Sequence, residues 1–201
     1  MQLDQVVANL NKRRYIARSF ATASEAKQEM LSIIGSGSVG IGGSKSINDT
    51  GIYQDLKEHG NAVYCHTFVP KEEKQAMRRA AMNADVYLCS ANALTESGIL
   101  INIDGTGNRV AATIFGPKIV MMLVGRNKIV PSVEAGIERI KRDNCPKNAA
   151  RLGFATPCAV TGKCADCASP ARMCNVTILH EYPTRNVEKF YVFLVDEEIG
   201  W

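Results

Sequence analysis

The chain of 201 residues has no apolar run that approaches the roughly 20 residues of a membrane-spanning helix. Its first segment, MQLDQVVANLNKRRY, carries acids and amides where an export signal needs an apolar core. Aromatic residues are scarce at 6%, and the net charge of +4 is spread along the chain, which disfavours a dedicated nucleic-acid surface. We therefore expect a cytoplasmic protein with no membrane span and no nucleic-acid partner.

Histidine is also scarce, and the cysteines do not suggest a disulfide framework. The three histidines, His59, His66 and His180, have no metal-ligand spacing. Seven cysteines, an odd number in a chain without an export signal, are typical of thiols or metal ligands in a reducing compartment. Because a chain of this length buries roughly 70% of its unfolded surface, it needs no disulfide for stability.

Strand-like and helix-like segments alternate along the chain. Apolar runs of about five residues are typical of parallel strands covered on both faces. The strand candidates are SVGIGGS, NAVYCHTFV, DVYLCS, GILINI and KIVMMLVG, followed late in the chain by VTILHEY and KFYVFLVDE. Alternation with short connections predicts one α/β domain over residues 1–201, with an open, mostly parallel sheet flanked by helices.

The two ends of the chain differ from this alternation. Residues 1–34 are predicted to form one or two leading helices, with Ser24 as a possible N-cap. Residues 132–144 are predicted to form a later helix. Residues 145–175 are rich in Pro, Cys, Gly and Ala without a helical or strand period, which predicts a cysteine-rich loop within the domain.

Four cysteines of this loop predict a metal centre. Cys158, Cys164, Cys167 and Cys174 lie within 17 residues, and thiolates are soft ligands. One Cys-x-x-Cys pair flanked by single cysteines suits a [4Fe–4S] cluster at least as well as zinc. Zinc and redox-active or unliganded thiols remain alternatives, and Cys145 is given no role.

A glycine-rich segment, GIGGSKSINDTG, follows the first strand candidate. Glycines between a strand and a helix let backbone amides approach an anion, and a helix N-terminus attracts it. Gly42, Gly43, Ser44 and Ser46 are therefore candidates for a phosphate or carboxylate cradle. The alternative is a plain tight turn, because the segment matches neither the dinucleotide fingerprint nor the P-loop.

The segment SANALTESGILINIDGTGNR places polar side chains at the ends of predicted strands, where open α/β sheets bind ligands. The candidates are Asn92, Thr95, Glu96, Asn102, Asp104, Gly105, Thr106, Asn108 and Arg109. Glu96 and Asp104 are candidates for acid–base or covalent catalysis, and Arg109 for pairing with a substrate carboxylate. The alternative is turn chemistry, with Glu96 forming a salt bridge to Arg109.

The order of these motifs resembles the LUD (lactate-utilisation) domain family, formerly a domain of unknown function, over residues 5–200. The block from Thr-Glu-Ser-Gly through Asp-Gly-Thr-Gly-Asn-Arg to the hydrophobic strand carries the resemblance. It implies a fold like that of ribose-phosphate isomerases, glucosamine-phosphate deaminases and CoA-transferases. By analogy with those enzymes, Gly42, Gly43, Ser44 and Ser46 would line a phosphate or CoA-like pocket and Glu96 would take an acidic position. The four-cysteine loop indicates a subgroup with its own metal centre.

Three hypotheses follow. The first is an accessory or electron-transfer component in the oxidation of a small hydroxy or keto acid, which binds an anionic metabolite (carboxylate or phosphate) and works beside an iron–sulfur oxidoreductase. The second is a non-redox isomerase or CoA-transferase-like enzyme that uses Glu96 or Asp104 and carries a structural zinc. The third is a metabolite-sensing module that signals through its N-terminal helices.

Overall fold

A computed structural model describes residues 3–201 of the chain. The helices are α1 (Leu3–Lys12), α2 (Ala23–Ile34), α3 (Lys45–Asn48), α4 (Ile52–Glu58), α5 (Lys74–Met82), α6 (Asn108–Ala112), α7 (Val133–Arg139), α8 (Cys145–Arg151) and α9 (Pro157–Thr161). The strands are β1 (Ile16–Phe20), β2 (Val39–Ile41), β3 (Val63–Cys65), β4 (Val86–Cys89), β5 (Ala93–Thr95), β6 (Leu100–Asp104), β7 (Ile119–Gly125), β8 (Ile129–Val130), β9 (Val176–His180) and β10 (Lys189–Val195). Within this part of the chain, no helix combines the length and apolarity needed to cross a membrane.

Six strands form one parallel sheet in the order β1-β10-β7-β4-β2-β3. Its central strand β7 is buried from Val120 to Gly125, as expected for a strand covered on both faces. One apolar cluster, including Leu10 and Phe190, packs on one face of the sheet, and another, including Met30 and Phe193, packs on the other. The predicted α/β class with an open, mostly parallel sheet is confirmed.

A second sheet, which the sequence did not predict, has the order β8-β5-β6-β9. Strands β5 and β6 form an antiparallel hairpin, and β9 pairs antiparallel with β6. β5 has three residues and β8 has two, so neither produces a recognisable alternation. A third apolar cluster, which includes Ile101 and Ile140, packs this sheet against α7 and the π-helical turn Ile140–Asn144.

The leading segment differs from two uninterrupted helices because Ile16–Phe20 forms an edge strand. This strand pairs with β10 along its whole length. The N-cap of α2 is Thr22 and not Ser24: Thr22 accepts a hydrogen bond from the Glu25 amide, and the Glu25 carboxylate accepts one from the Thr22 amide. This capping box starts the helix two residues earlier than predicted. Residues 1–2 of the predicted helical segment lie outside the described residues.

The cysteine-rich segment is not irregular throughout, which corrects the prediction of a loop over residues 145–175. Helix α8 continues from the π-helical turn and buries Cys145, Pro146 and Ala149, while α9 begins at Pro157. Both helices are too short to show a clear apolar period in the sequence. Pro157 in the first turn of α9 is compatible with a helix because its missing N–H has no intrahelical acceptor there.

The capping box gives a direct test of this part of the fold. We expect Thr22→Ala to lower the free energy of unfolding by about 1 kcal/mol, because the Glu25 amide loses the hydroxyl that accepts its hydrogen bond at the start of α2. Ser24→Ala, inside the same helix, should change it by less than about 0.5 kcal/mol. Urea denaturation of both variants measures the difference. Equal losses would contradict the assignment of the cap.

Candidate functional site

The carboxyl ends of the parallel strands bring several loops together. The glycine turn follows β2, His66 follows β3, Ser90 follows β4, and Lys128 ends the turn after β7. This edge is where open α/β sheets bind ligands. We call it the carboxyl edge.

Arg109 is the centre of the polar contacts at this edge. Its side chain is largely buried and forms an ion pair with Asp104, with Nε 3.1 Å from Oδ2. The other two nitrogens donate to Ser90 O (3.1 Å), Asn102 Oδ1, Asn92 Oδ1 (3.0 Å) and Ile103 O (2.8 Å). All five N–H groups of the guanidinium therefore have acceptors within the protein.

Both carboxylate oxygens of Asp104 also have partners within the protein, whereas Glu96 lies away from Arg109. Asp104 Oδ1 accepts a hydrogen bond of 2.7 Å from the Gly107 amide, while Oδ2 faces Arg109. Glu96 is exposed in the turn of the β5–β6 hairpin, whose other end carries Asp104. The four-residue rise of β6 from Leu100 to Asp104 corresponds to about 13 Å. The structure thus joins Asp104 to Arg109 and separates both from Glu96, and the ion pair of Arg109 is with Asp104.

The glycine turn lies against the same cluster. A Cβ added at Gly42 would come 2.9 Å from Tyr87 Oη and 3.2 Å from Arg109 Cγ, and one at Gly43 would come 3.1 Å from His66 Nε2. The turn therefore needs glycine for close packing. Ser44 caps α3 by accepting a hydrogen bond from the Ile47 amide (3.4 Å).

His66 was missed as a candidate because its position beside the turn depends on the fold. Burial, together with the charges of Arg78 and Lys74, lowers the pKa of His66. His66 Nδ1 and Arg78 Nε are buried and have no hydrogen-bond partner among the described residues. Buried polar atoms are normally satisfied, so these two nitrogens are exceptions beside the glycine turn.

Lys128 is the second residue that the sequence did not reveal. Its side chain is 3% exposed, and Nζ donates to Ser46 Oγ at 2.6 Å and Ser90 Oγ at 2.9 Å. Burial, followed by the charges of Arg139 and Arg109, lowers the pKa of Lys128 to about 7. The only signal in the sequence is a lysine shortly after the most hydrophobic strand.

The side chains at the carboxyl edge carry more positive than negative charge. Arg139 is 9% exposed and donates to Asn127 O, Asn92 O and Asn144 Oδ1 at 2.8–3.0 Å. Arg109 has Asp104 as its partner, but no carboxylate within salt-bridge distance accompanies Arg139 or Lys128 in residues 3–201. Uncompensated buried cations favour the binding of an anion.

The thiols form a second group beside this cluster. Cys145 packs in the same apolar cluster as Cys174. Burial first, then the nearby sulfurs of Cys174, Cys164 and Cys158, raises the pKa of Cys145 to about 12. Cys145 is thus brought together with three of the four predicted ligands, and it had no predicted role because 12 residues separate it from Cys158 in the sequence.

Arg172 orders the segment that carries Cys167 and Cys174. In residues 3–201, no three His, Cys, Asp or Glu side chains are close enough to hold a single metal ion. The backbone oxygen of Cys167 accepts a hydrogen bond from Arg172, which also donates to Cys174 O, so Arg172 orders this part of the loop. The donors are soft thiols, which can ligate zinc or an iron–sulfur cluster.

Of the remaining predicted residues, Gly105 connects the two groups. The backbone of Gly105 packs against Met173, next to Cys174, and its carbonyl accepts a hydrogen bond from Asn175. Thr106 is exposed, and Asn108 is half-buried at the start of α6. Gly105 therefore fixes the cysteine segment beside the Asp104 turn.

Comparison with known proteins gives two findings. The family model described as the LUD domain matches residues 3–195. A crystal structure of a DUF162 family protein from Deinococcus radiodurans is similar, with a TM-score of 0.58 and 14% sequence identity over 96% of this chain and 95% of that chain. This likeness concerns the fold. No curated protein matches the chain.

Arg109 provides a prediction about stability. Arg109→Lys keeps the charge but loses most of the five hydrogen bonds, because an ammonium group cannot reach acceptors spread around a planar guanidinium. We expect a loss of about 2–4 kcal/mol in the free energy of unfolding. Arg79→Lys, at an exposed position of α5, is the control and should be nearly neutral. Urea denaturation at pH 7 measures both, and a neutral Arg109→Lys would refute the central role of this side chain.

Lys128 provides a prediction about pH. Its pKa is about 7 in the folded protein and about 10.4 in an unfolded chain, so between these values the unfolded chain binds more protons. This difference makes the free energy of unfolding rise with pH, by about 1 kcal/mol per pH unit over that interval.

Lys128→Met removes the difference. We expect the variant to gain stability relative to the parent at pH 6 and to lose that gain by pH 10, as measured by urea denaturation. Lys118→Met, which replaces an exposed lysine, is the control. Parallel pH profiles for the parent and Lys128→Met would show that Lys128 keeps an ordinary pKa.

Proposed function

The chain belongs to the LUD domain family and is a lactate-utilisation-like protein, and on that premise we propose that it is an accessory or electron-transfer component in the oxidation of a small hydroxy or keto acid. In this proposal the carboxyl edge binds the acid as an anion, and the cysteine segment holds an iron–sulfur cluster. We place the protein in the cytoplasm, beside an iron–sulfur oxidoreductase.

The observation that carries the proposal is the excess of buried positive charge next to a group of thiols. Lys128 and Arg139 have no carboxylate partner within the described residues, although burying a charge without a partner is costly. A carboxylate or phosphate at the carboxyl edge would supply the missing negative charge.

The anion site and the thiols are joined by a short chain of hydrogen bonds. Arg109 donates to the side chain of Asn92, and Arg139 donates to the backbone oxygen of the same residue. Arg139 also donates to Asn144, the residue before Cys145. A cluster held by the thiols would therefore lie close to the bound acid, as electron transfer between them requires.

We favour an iron–sulfur cluster over a zinc ion because one Cys-x-x-Cys pair is flanked by single cysteines. Bridging sulfides make a cluster larger than a single ion, so its cysteine ligands stand farther apart. Cys158, Cys164 and Cys174 would hold such a cluster with either Cys167 or Cys145. When bound, the group would supply one-electron transfer, and the protein would contribute the thiolates, the burial of Cys145 and the order imposed by Arg172.

We expect the electron-transfer partner to bind at a cleft beside the thiols. It has a volume of about 430 Å³ and lies between the C-terminal part of α7 and the loop that carries Cys164. The residues that line it include Lys141, Arg142 and Lys163, with Glu138 and Asp166. This surface leaves Cys164 partly accessible, which is where an electron partner would approach.

Metal and sulfide analysis of protein purified without oxygen tests the cluster. We expect iron and acid-labile sulfide with a broad absorption band near roughly 400 nm. Cys158→Ala and Cys174→Ala should lose both, whereas Cys89→Ala, which removes a buried thiol of the main core, should retain them. Comparing Cys145→Ala with Cys167→Ala identifies the fourth ligand.

Other metal contents would contradict the proposal. Zinc in place of iron, or no metal in the parent protein, would exclude the cluster. A colourless protein with turnover in the absence of any redox partner would support the second candidate, a non-redox isomerase or CoA-transferase-like enzyme. One observation favours that candidate, namely that a buried amine and the Asp104 carboxylate share the carboxyl edge.

A further inference from the structure

Lys128 lies beneath the end of the chain, between loops that follow three neighbouring strands. It ends the short helical turn Arg126–Lys128 after β7, and its two hydrogen-bond partners follow β2 and β4. The amine is therefore held at the middle of the carboxyl edge by Ser46 and Ser90.

The two serines determine which form of the amine fits. Ser90 Oγ donates to Leu123 O at 2.6 Å, and Ser46 Oγ donates to Ile199 O at 3.5 Å. Ser90 therefore uses its one proton on a backbone carbonyl and can only accept a hydrogen bond from Lys128. Ser46 Oγ lies 2.6 Å from Lys128 Nζ and accepts a second one. A neutral amine has two N–H groups for these two acceptors and keeps its lone pair unused.

The charges around Lys128 also favour the neutral amine. Arg139 and Arg109 both repel an ammonium group, while Asp49 and the thiol of Cys89 act in the opposite direction and more weakly. Asp49 is itself paired with Lys45 at 2.5 Å. Desolvated lysines next to other cations are the ones that act as amine nucleophiles.

We propose that Lys128 forms an imine with the carbonyl group of a small 2-oxo acid. The inference rests on the anion site of the proposed function and specifies the class of its ligand. The Nζ lone pair attacks the carbonyl carbon and forms a C–N bond. The carbonyl oxygen then leaves as water with the two amine protons, so no oxidant or reductant is needed.

Arg139 provides the group that would receive the carboxylate. Its Nε and Nη1 donate to protein oxygens, and no acceptor within residues 3–201 engages Nη2. Arg139 Nε donates to the backbone oxygen of Asn127, the residue before Lys128, so the two side chains are anchored to neighbouring positions. A 2-oxo acid has its carboxylate next to its carbonyl, which matches a cation beside an amine.

The last residues, 197–201, cover the amine and are called here the C-terminal strap. Trp201 O accepts a hydrogen bond of 2.8 Å from Asn144, and the Trp201 ring lies 5.6 Å from the Arg151 guanidinium carbon. A Cβ at Gly200 would collide with Ser46 Oγ and come 3.2 Å from Lys128 Nζ, and Gly200 has φ +64°. The strap therefore lies directly on the amine only because residue 200 is glycine.

Reductive trapping tests the proposal. The protein is incubated at pH 7 with glyoxylate and sodium cyanoborohydride, and the modified lysines are located by peptide mass spectrometry. A lysine of ordinary pKa has roughly 10³-fold less neutral amine at pH 7 than a lysine of pKa about 7. Because the strap covers the amine in the parent protein, we expect Lys128 to be modified selectively, at least about tenfold faster than any other lysine, in Gly200→Ala, which lifts the strap.

Three controls define the site. In the Gly200→Ala background, Lys128→Met should lose the selective adduct, while Lys118→Met, at an exposed lysine paired with Glu188, should retain it. Propanal has the aldehyde without the carboxylate, so its selectivity for Lys128 should be lower. Thermal denaturation of each variant checks that it is folded.

The results distinguish failure of the imine proposal from failure of the proposed anion site. Modification of surface lysines without Lys128, in Gly200→Ala as well as in the parent, would overturn the imine. If calorimetry then shows that glyoxylate binds, the anion site of the proposed function stands without the imine. If glyoxylate neither binds nor reacts, both fail.

Discussion

The hydrogen bonds of one guanidinium group, that of Arg109, hold the two sheets in the arrangement on which the site depends. Its acceptors come from the end of β4, from the segment before β5 and from the end of β6. The hydrogen bonds of a buried charged group each contribute about 1.5–3 kcal/mol when both partners are present, and more is lost when one partner is left alone. The main role of Arg109 is therefore to stabilise the structure, and its positive charge acts on the site from a distance.

The pairing of Arg109 with Asp104 determines which buried cations lack a carboxylate. Asp104 compensates Arg109, which leaves Arg139 and Lys128 as the buried cations without a carboxylate among the described residues. Two responses are open to such a pair: a lysine can lose its proton, or an anion can bind. Lys128 has a lowered pKa and is in a position to do either, depending on whether the ligand brings a negative charge or a carbonyl group to the edge.

The sequence predicted those features that depend on local pattern. Strand β7 was recognisable because a strand buried on both faces is a continuous apolar run, and Asp104 and Arg109 were recognisable because polar residues with glycines follow a strand. Strands β5 and β8 were not, because two or three residues have no period. Lys128, His66 and Cys145 were missed because their environments depend on residues distant in sequence, and Glu96 was grouped with Asp104 because sequence proximity does not show that a hairpin separates them.

Calorimetric titration with lactate, a 2-hydroxy acid with no ketone to react, tests most directly whether the excess buried charge is an anion site. At pH 8 most of Lys128 is neutral, and a carboxylate beside it should raise its pKa and draw in a proton. We predict binding whose heat varies with the ionisation enthalpy of the buffer, corresponding to uptake of up to about one proton per lactate, and no such uptake in Lys128→Met. Absence of binding, or binding with the same proton uptake in Lys128→Met, would contradict the assignment of an anion site beside Lys128.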